Sequence, residues 1–203
     1  RTGSGPALHM VERTLEALRS GGIHDQLGGG FHRYSTDTRW HVPHFEKMLY
    51  DQALLLIAFS EAWQATKNPA WKETAESLVT YVLRDLLSPE GAFMAAEDAD
   101  SPGGEGAFYL WTRQELDAVL GPDDGRYAAR LFGVEEDGNF RSAEWGCGKN
   151  ILVLRPGRAE KPEDRHRMDA VRNKLRKERG NRPRPGRDTK ILTDWNGLMI
   201  AAL

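Results

Sequence analysis

Apolar residues recur at helical spacing along most of the chain. After Ser4 and Pro6, a cap and first-turn pair, Leu8, Val11, Leu15 and Leu18 share one stripe, which Gly21–Gly22 ends. A second helix is predicted from about Pro43 to Lys67. Phe45, Met48, Leu49, Leu56, Phe59 and Trp63 form one face of it, and Leu54, Leu55 and Ile57 carry apolar character around the other sides. Such a helix is buried on more than one side. Its polar residues, His44, Glu46, Lys47, Tyr50, Asp51 and Gln52, are gathered in the first turns. Asn68–Pro69 opens a third helix with Trp71, Ala75, Leu78, Val82 and Leu86 on one stripe, ending at Ser88–Pro89. Thr112 and Glu115 form a capping box for a short helix to Gly121, followed by a weaker one over 125–132. Residues 138–155 read as extended, with "ILVLR" as the best strand. A charged helix over 163–179 carries a narrow Met168, Val171, Leu175 stripe, and Asp194 caps a last helix. The pattern predicts an all-α layered fold with small β insertions in its loops.

Composition narrows the class. The chain has 203 residues and net charge −2, with 39% hydrophobic and 29% charged residues, values of a globular protein. The longest apolar run, 53–59, is far short of the roughly 20 residues that span a bilayer, and no secretory signal opens the chain. No membrane association is expected. A single cysteine, Cys147, excludes an internal disulfide framework and makes the cytoplasm the default location. The final apolar helix stops after about two turns, so the chain reads as a piece of a longer protein, with a wide apolar face left for something else to cover. The stretch 165–190 is rich in Lys and Arg but has no aromatic residue for base stacking, so it reads as a solvated helix face and linker, with no nucleic-acid partner.

The chemistry concentrates in "GGGFHRYSTDTRWHVPHFEKMLYD", 28–51. Its glycines let the backbone take positive φ and approach another segment closely. No phosphate-loop signature accompanies them, and the scattered histidines lack a fixed metal-ligand pair, so no metal and no cofactor are expected. Rings interleaved with carboxylates, Arg and His suit a carbohydrate, whose hydroxyls seek polar groups and whose C–H faces stack on rings. "AEDADSPGGEGAFYLW" fails as a calcium loop, since Pro102 and Tyr109 stand where oxygen ligands belong. It offers Glu97, Asp98 and Asp100 beside Phe93, Tyr109 and Trp111, either a solvated turn or a second wall of the same pocket. Trp195 and Asn196, just after Asp194, repeat the design of a polar first turn before an apolar body.

"GGIHDQLGGGFHRYSTDTRWHVPHFEKMLYDQALLL", "FMAAEDADSPGGEGAFYLWTRQEL" and "DTKILTDWNGLMIAAL" together resemble signatures of the thioredoxin-domain-containing proteins, whose bacterial members are YyaL-like and whose animal members are of the spermatogenesis-associated type. The resemblance covers most of 4–121 and 188–203. It implies that residues 1–203 are part of one (α/α)6 toroid, similar to N-acylglucosamine 2-epimerase and the six-hairpin glycosidases. A thioredoxin-like domain and the second half of the toroid would lie outside this stretch. A small sugar is then the expected substrate, handled by epimerase/isomerase-like or glycosidase-like acid/base chemistry. The candidate catalytic residues are His44, Glu46 and Asp98. The candidate substrate-binding residues are His32, Arg33, Trp40, Lys47, Tyr50, Asp51, Trp111, Asp194, Trp195 and Asn196. Glu46 and Asp98 form the carboxyl pair, which would stand about 5 Å apart for retention or about 6.5–9.5 Å for inversion. On a helix, Glu46 and Asp51 would diverge, leaving Glu46 for proton transfer and Asp51 paired to Arg33 or Lys47. Homo-oligomerisation or contact with the thioredoxin-like domain is the expected protein partnership. The rival expectation is a non-catalytic toroid that binds glycan or protein beside a redox domain.

Overall fold

The computed structural model describes residues 3–142, 145–155 and 162–203, the last stretch with side chains from 164. Six α-helices carry the fold: α1 (Gly5–Ser20), α2 (Leu49–Thr66), α3 (Pro69–Tyr81), α4 (Arg113–Phe132), α5 (Pro162–Arg179) and α6 (Thr193–Ala202). α3 continues into one π-helical turn, Val82–Leu86, before the chain straightens at Leu87. The strands are two to four residues long: β1 (Tyr34–Ser35), β2 (Pro43–His44), β3 (Lys47–Met48), β4 (Ala96–Glu97), β5 (Asp100–Ser101), β6 (Gly104–Glu105), β7 (Phe140–Ser142), β8 (Gly146–Lys149) and β9 (Arg187–Asp188). They form three two-stranded ladders, β1–β2, β5–β6 and β7–β8, and one three-stranded sheet in the order β3–β4–β9.

Local chemistry explains most helix boundaries. Asn68 caps α3 by accepting from Ala70 N at 3.0 Å, and Thr112 and Glu115 form the expected capping box of α4. α4 breaks at Gly121 (φ 75°), with Pro122 opening its second part. Ser4 makes no side-chain cap, and α6 begins one residue before Asp194, with Leu192 as its N-cap. Residues 151–155 form neither helix nor strand and pair with no strand among the described residues. Their backbone groups bond instead to Phe132 O, Ser20 O and Leu131 O, which ties α1 to α4.

The largest departure from the helical pattern lies at 43–48. α2 starts at Leu49, because Met48 stays extended (φ −99°, ψ 142°) and pairs with Ala96. Before it, side chains alternate as in a strand: Phe45 and Lys47 face inward, His44 and Glu46 outward. Apolar residues at 45 and 48 fit either period, so spacing alone could not separate the two.

One core joins α2, α3, the π-helical turn and Met199 of α6. Phe31, Leu49, Leu56, Phe59, Leu78 and Leu86 are almost inaccessible there. A second lies between α4 and α5, where the predicted Met168, Val171, Leu175 stripe is buried. Each such side chain removed from water is worth about 1.5–3 kcal/mol. A third, smaller group forms around Phe45, Phe108, Tyr109 and Ile151. α6 lies along α2 from the same end, since Tyr50 and Trp195 in their first turns are in edge contact at 4.8 Å. Leu8, Met10 and Val11 on α1, Leu54 on α2, and Leu198 and Ile200 on α6 stand exposed.

The glycines at 28–30 wrap a buried charge cluster. Asp25 accepts from Lys47 Nζ at 2.9 Å and from both terminal nitrogens of Arg179 at 2.7 and 2.9 Å. Burial alone would raise the Asp25 carboxyl, but Arg179, Lys47 and the Gly28 N–H together hold it well below the usual range. Lys47 Nζ also donates to Gly29 O and lies over the Tyr81 ring at 4.4 Å. Several arginines at 165–190 are likewise engaged within the fold. Arg182 lies 4.0 Å from the Trp111 ring centre, Arg184 bonds Asp85, and Arg165 bonds Glu73. The solvated-face expectation therefore holds for only part of that stretch.

Candidate functional site

Residues 33–34, His44 and Glu46 and the first turns of α2 and α6 share one polar face. At its centre Glu46 accepts from Arg33 Nη1 at 2.9 Å, and Arg33 Nε donates to the Tyr50 hydroxyl at 3.2 Å. His44 stands on the same side of the strand, its Nε2 3.7 Å from Glu46, too far for a hydrogen bond. Its Nδ1 lies 2.8 Å from Glu105, so that nitrogen carries the proton, and Tyr34 stacks on the ring at 5.0 Å. β3 and β4 pair Lys47 with Glu97. The ladder ends at that pair, and Asp98 just beyond it is exposed, its N–H donating to Gly186 O at 2.8 Å.

Asp51 is the unusual group. One of its oxygens, Oδ2, is buried with no hydrogen-bond partner. Burial pushes its pKa up to about 6, Arg33 pulls it down, and neighbouring Glu46 pushes it up again. The expected division of labour is therefore reversed. Glu46 takes the guanidinium, because the strand turns it toward Arg33, and Lys47 turns inward to Asp25. Asp51 is left as the carboxyl that titrates near neutrality.

Several other predicted residues lie away from this face. His32 and Lys47 point inward. His32 is buried against Phe45 and Tyr109, its Nδ1 bonded to Phe45 O at 2.9 Å, and burial with the Lys47 charge holds its pKa well below normal. Trp111 is fully buried in the α4–α5 core. Trp40, at φ 59°, packs against Gly21 and the first core. Asn196 uses its amide to hold residue 93, accepting from Phe93 N at 2.8 Å and donating to Phe93 O at 2.9 Å. Asp194 is exposed and bonds only the next backbone N–H, that of Trp195. The structure brings together Arg33, His44, Glu46, Tyr50, Asp51 and Trp195, while Asp98 is exposed just beyond β4 with its side chain against Gly186. Glu105, which orients His44, was missed. Its only mark in the sequence is being the one acid among the glycines at 103–106.

Cavities of about 770 and 630 Å³ lie elsewhere, the first between α1, α3 and α5, the second beside the end of α4. No aromatic ring lines either, so a sugar would find no stacking surface there. Among the described residues, no group of three or more His, Cys, Asp or Glu is placed to hold a metal ion, and no helix is long and apolar enough to cross a membrane.

No protein-family model matches the chain. It is similar to spermatogenesis-associated protein 20 of Homo sapiens, 40% identical over 223 aligned positions that cover 96% of this chain and 28% of the human protein. The Mus musculus protein of the same name is 38% identical, and an uncharacterized protein of Caenorhabditis elegans 37% identical. The chain spans between 28% and 31% of the length of these relatives.

Proposed function

We propose that the Glu46 face binds a sugar-like, polyhydroxylated ligand and moves a proton on it, with Asp51 as the acid/base group. The observation that carries this reading is the Asp51 carboxyl, half-sealed, with an unbonded oxygen and a pKa of about 6, next to the Arg33–Glu46 pair. A group that titrates near the working pH can both hold and release a proton, as general acid/base catalysis requires. Tyr50 and Trp195 supply rings for the C–H face of a sugar, and Arg33 and His44 supply donors for its hydroxyls. Asp51 suits proton transfer beside a carbonyl, as in epimerisation, and with Glu46 as a second carboxyl nearby it also suits cleavage of a glycosidic bond. The parallel start of α2 and α6 at this face, with α3 returning outside α2, supports a toroid whose inner helices aim their first turns at one centre.

A second reading is favoured by the exposure of the face, where the Arg33 side chain is 45% accessible, because proton-transfer sites usually exclude water. There the domain binds a glycan or a protein without turnover, next to a redox domain. Incubating the full-length protein with a panel of mono- and disaccharides, read by NMR of the products and by thermal shift, separates the two. Asp51→Asn is expected to abolish turnover at least about a hundredfold while leaving binding within about threefold. Binding without product in the wild type would sink the catalytic reading, and neither binding nor product would sink both.

A further inference from the structure

A second polar cavity lies on the other side of the 24–29 loop. It has a volume of about 100 Å³, room for a few water-sized groups, and is lined by His24, Gln26, Thr74, Ser77 and Arg172 among others. Arg19, Glu73, Leu154 and Arg172 also line the 770 Å³ groove, so the small chamber adjoins the floor of the large one.

Three residues that line this chamber each carry a buried, unbonded polar atom: His24 Nε2, Gln26 Oε1 and Arg172 Nε. His24 and Gln26 are only 8% and 5% exposed. Their other ends fix their roles. His24 Nδ1 lies 3.0 Å from Arg19 O and must carry the proton, so Nε2 offers a lone pair. Gln26 Nε2 donates to Arg19 O at 2.9 Å and to Gly21 O at 3.1 Å, which leaves Oε1 as an acceptor. Burial depresses the His24 pKa to about 3, so the ring stays a neutral acceptor at physiological pH.

Arg172 differs from the other deep cations. Lys47 and Arg179 share Asp25. No ion pair or hydrogen bond of Arg172 is found among the described residues, and Asp169 and Glu73 act on it only through space. Glu73 is already bonded to Arg165 at 2.7 Å. The Arg172 guanidinium lies 5.9 Å from the Phe132 ring centre, and its Nε is buried without a partner, which is costly for a charged group with no counter-charge in contact.

We propose that this chamber binds a small organic carboxylate that also carries a hydroxyl or ammonium group, the carboxylate on Arg172 and the donor on His24 Nε2 and Gln26 Oε1. An anion without a donor would meet two lone pairs it cannot satisfy, and a neutral polyol would leave the guanidinium unpaired. Only a ligand with both ends answers all three atoms. The site shares no named residue with the Glu46 face and does not depend on it.

Titration calorimetry and thermal shift on the full-length protein test the assignment with glycolate, glycine and acetate. Glycolate or glycine is expected to bind saturably and raise the melting temperature, with acetate at least about tenfold weaker for lack of the donor. The tighter of the first two identifies the donor as hydroxyl or ammonium. Arg172→Gln removes an unpaired charge, so it is expected to keep the fold and weaken binding at least about tenfold. Asp51→Asn is expected to leave this binding unchanged. Acetate binding as well as the two-ended probes, undiminished binding by Arg172→Gln, or no saturable binding of any probe would each overturn the proposal.

Discussion

At the scale of single residues, the 44–51 segment shows how much a backbone period decides. Glu46 and Asp51 were both visible as acids near one another. Which of them would be paired depended on whether Glu46 sat on a helix or a strand. With Glu46 turned to Arg33, Asp51 keeps its raised pKa of about 6, and a testable sign follows. An acid whose pKa is higher folded than unfolded binds more protons when folded, so it costs stability as pH rises from about 4 to about 6. Asp51→Asn removes that cost. The variant is expected to be more stable than the wild type by about 1 kcal/mol at pH 8, after allowance for solvent screening, and equal to it at pH 4. Urea midpoints at the two pH values measure this. A variant less stable at pH 8 would show that Asp51 has a partner in solution.

Among the elements, those with a chemical signature were legible. The Asn68 cap, the Thr112–Glu115 box, the break at Gly121 and the α5 stripe all follow from side-chain chemistry within a few residues. What escaped was set by distant pairing. Residues 43–44 and 47–48 are strands because 34–35 and 96–97 lie beside them, and residues 151–155 fail as a strand because they pair with none among the described residues. The candidate site was half legible for the same reason. Its residue types were readable, but the inward or outward turn of His32, Lys47 and Trp111 was not. The glycine loop was readable, and its close approach can be measured. Gly30 has φ 77°, and an added Cβ would meet the Tyr81 ring at 2.5 Å, whereas Gly146, at φ 64°, has nothing within 4 Å. Gly146→Ala is expected to cost only the backbone strain, about 1 kcal/mol, and Gly30→Ala more than about 2 kcal/mol, because the Tyr81 ring is buried and cannot move aside. Equal losses in the two denaturation curves would mean that the ring yields.

For the molecule as a whole, the buried titratable groups set the response to acid. His24 and His32 are held neutral in the fold, so the unfolded chain gains two protons that the native state refuses once pH drops below about 6.5. Each such proton lowers stability by up to about 1.4 kcal/mol per pH unit, and Asp51 offsets one of the two. The net expectation is a steady loss of folding free energy from pH 6.5 to 4. A steeper loss follows below about pH 4, as the depressed Asp25 carboxyl adds its share. Urea midpoints measured from pH 8 to pH 3.5 should fall through this range, and a flat or rising profile would exclude buried neutral histidines. The Asp25–Arg179 contact has a further consequence, for the order of assembly. Its partners are 154 positions apart in the chain, and the cation belongs to the last turn of α5. During synthesis, α2, α3 and the glycine loop leave the ribosome long before Arg179 exists. Lys47 can reach Asp25 early, but the bidentate guanidinium cannot be supplied by any neighbour. The closure of that wide loop therefore comes late, and the polar centre of the early half stays open to water until α5 arrives to seal it.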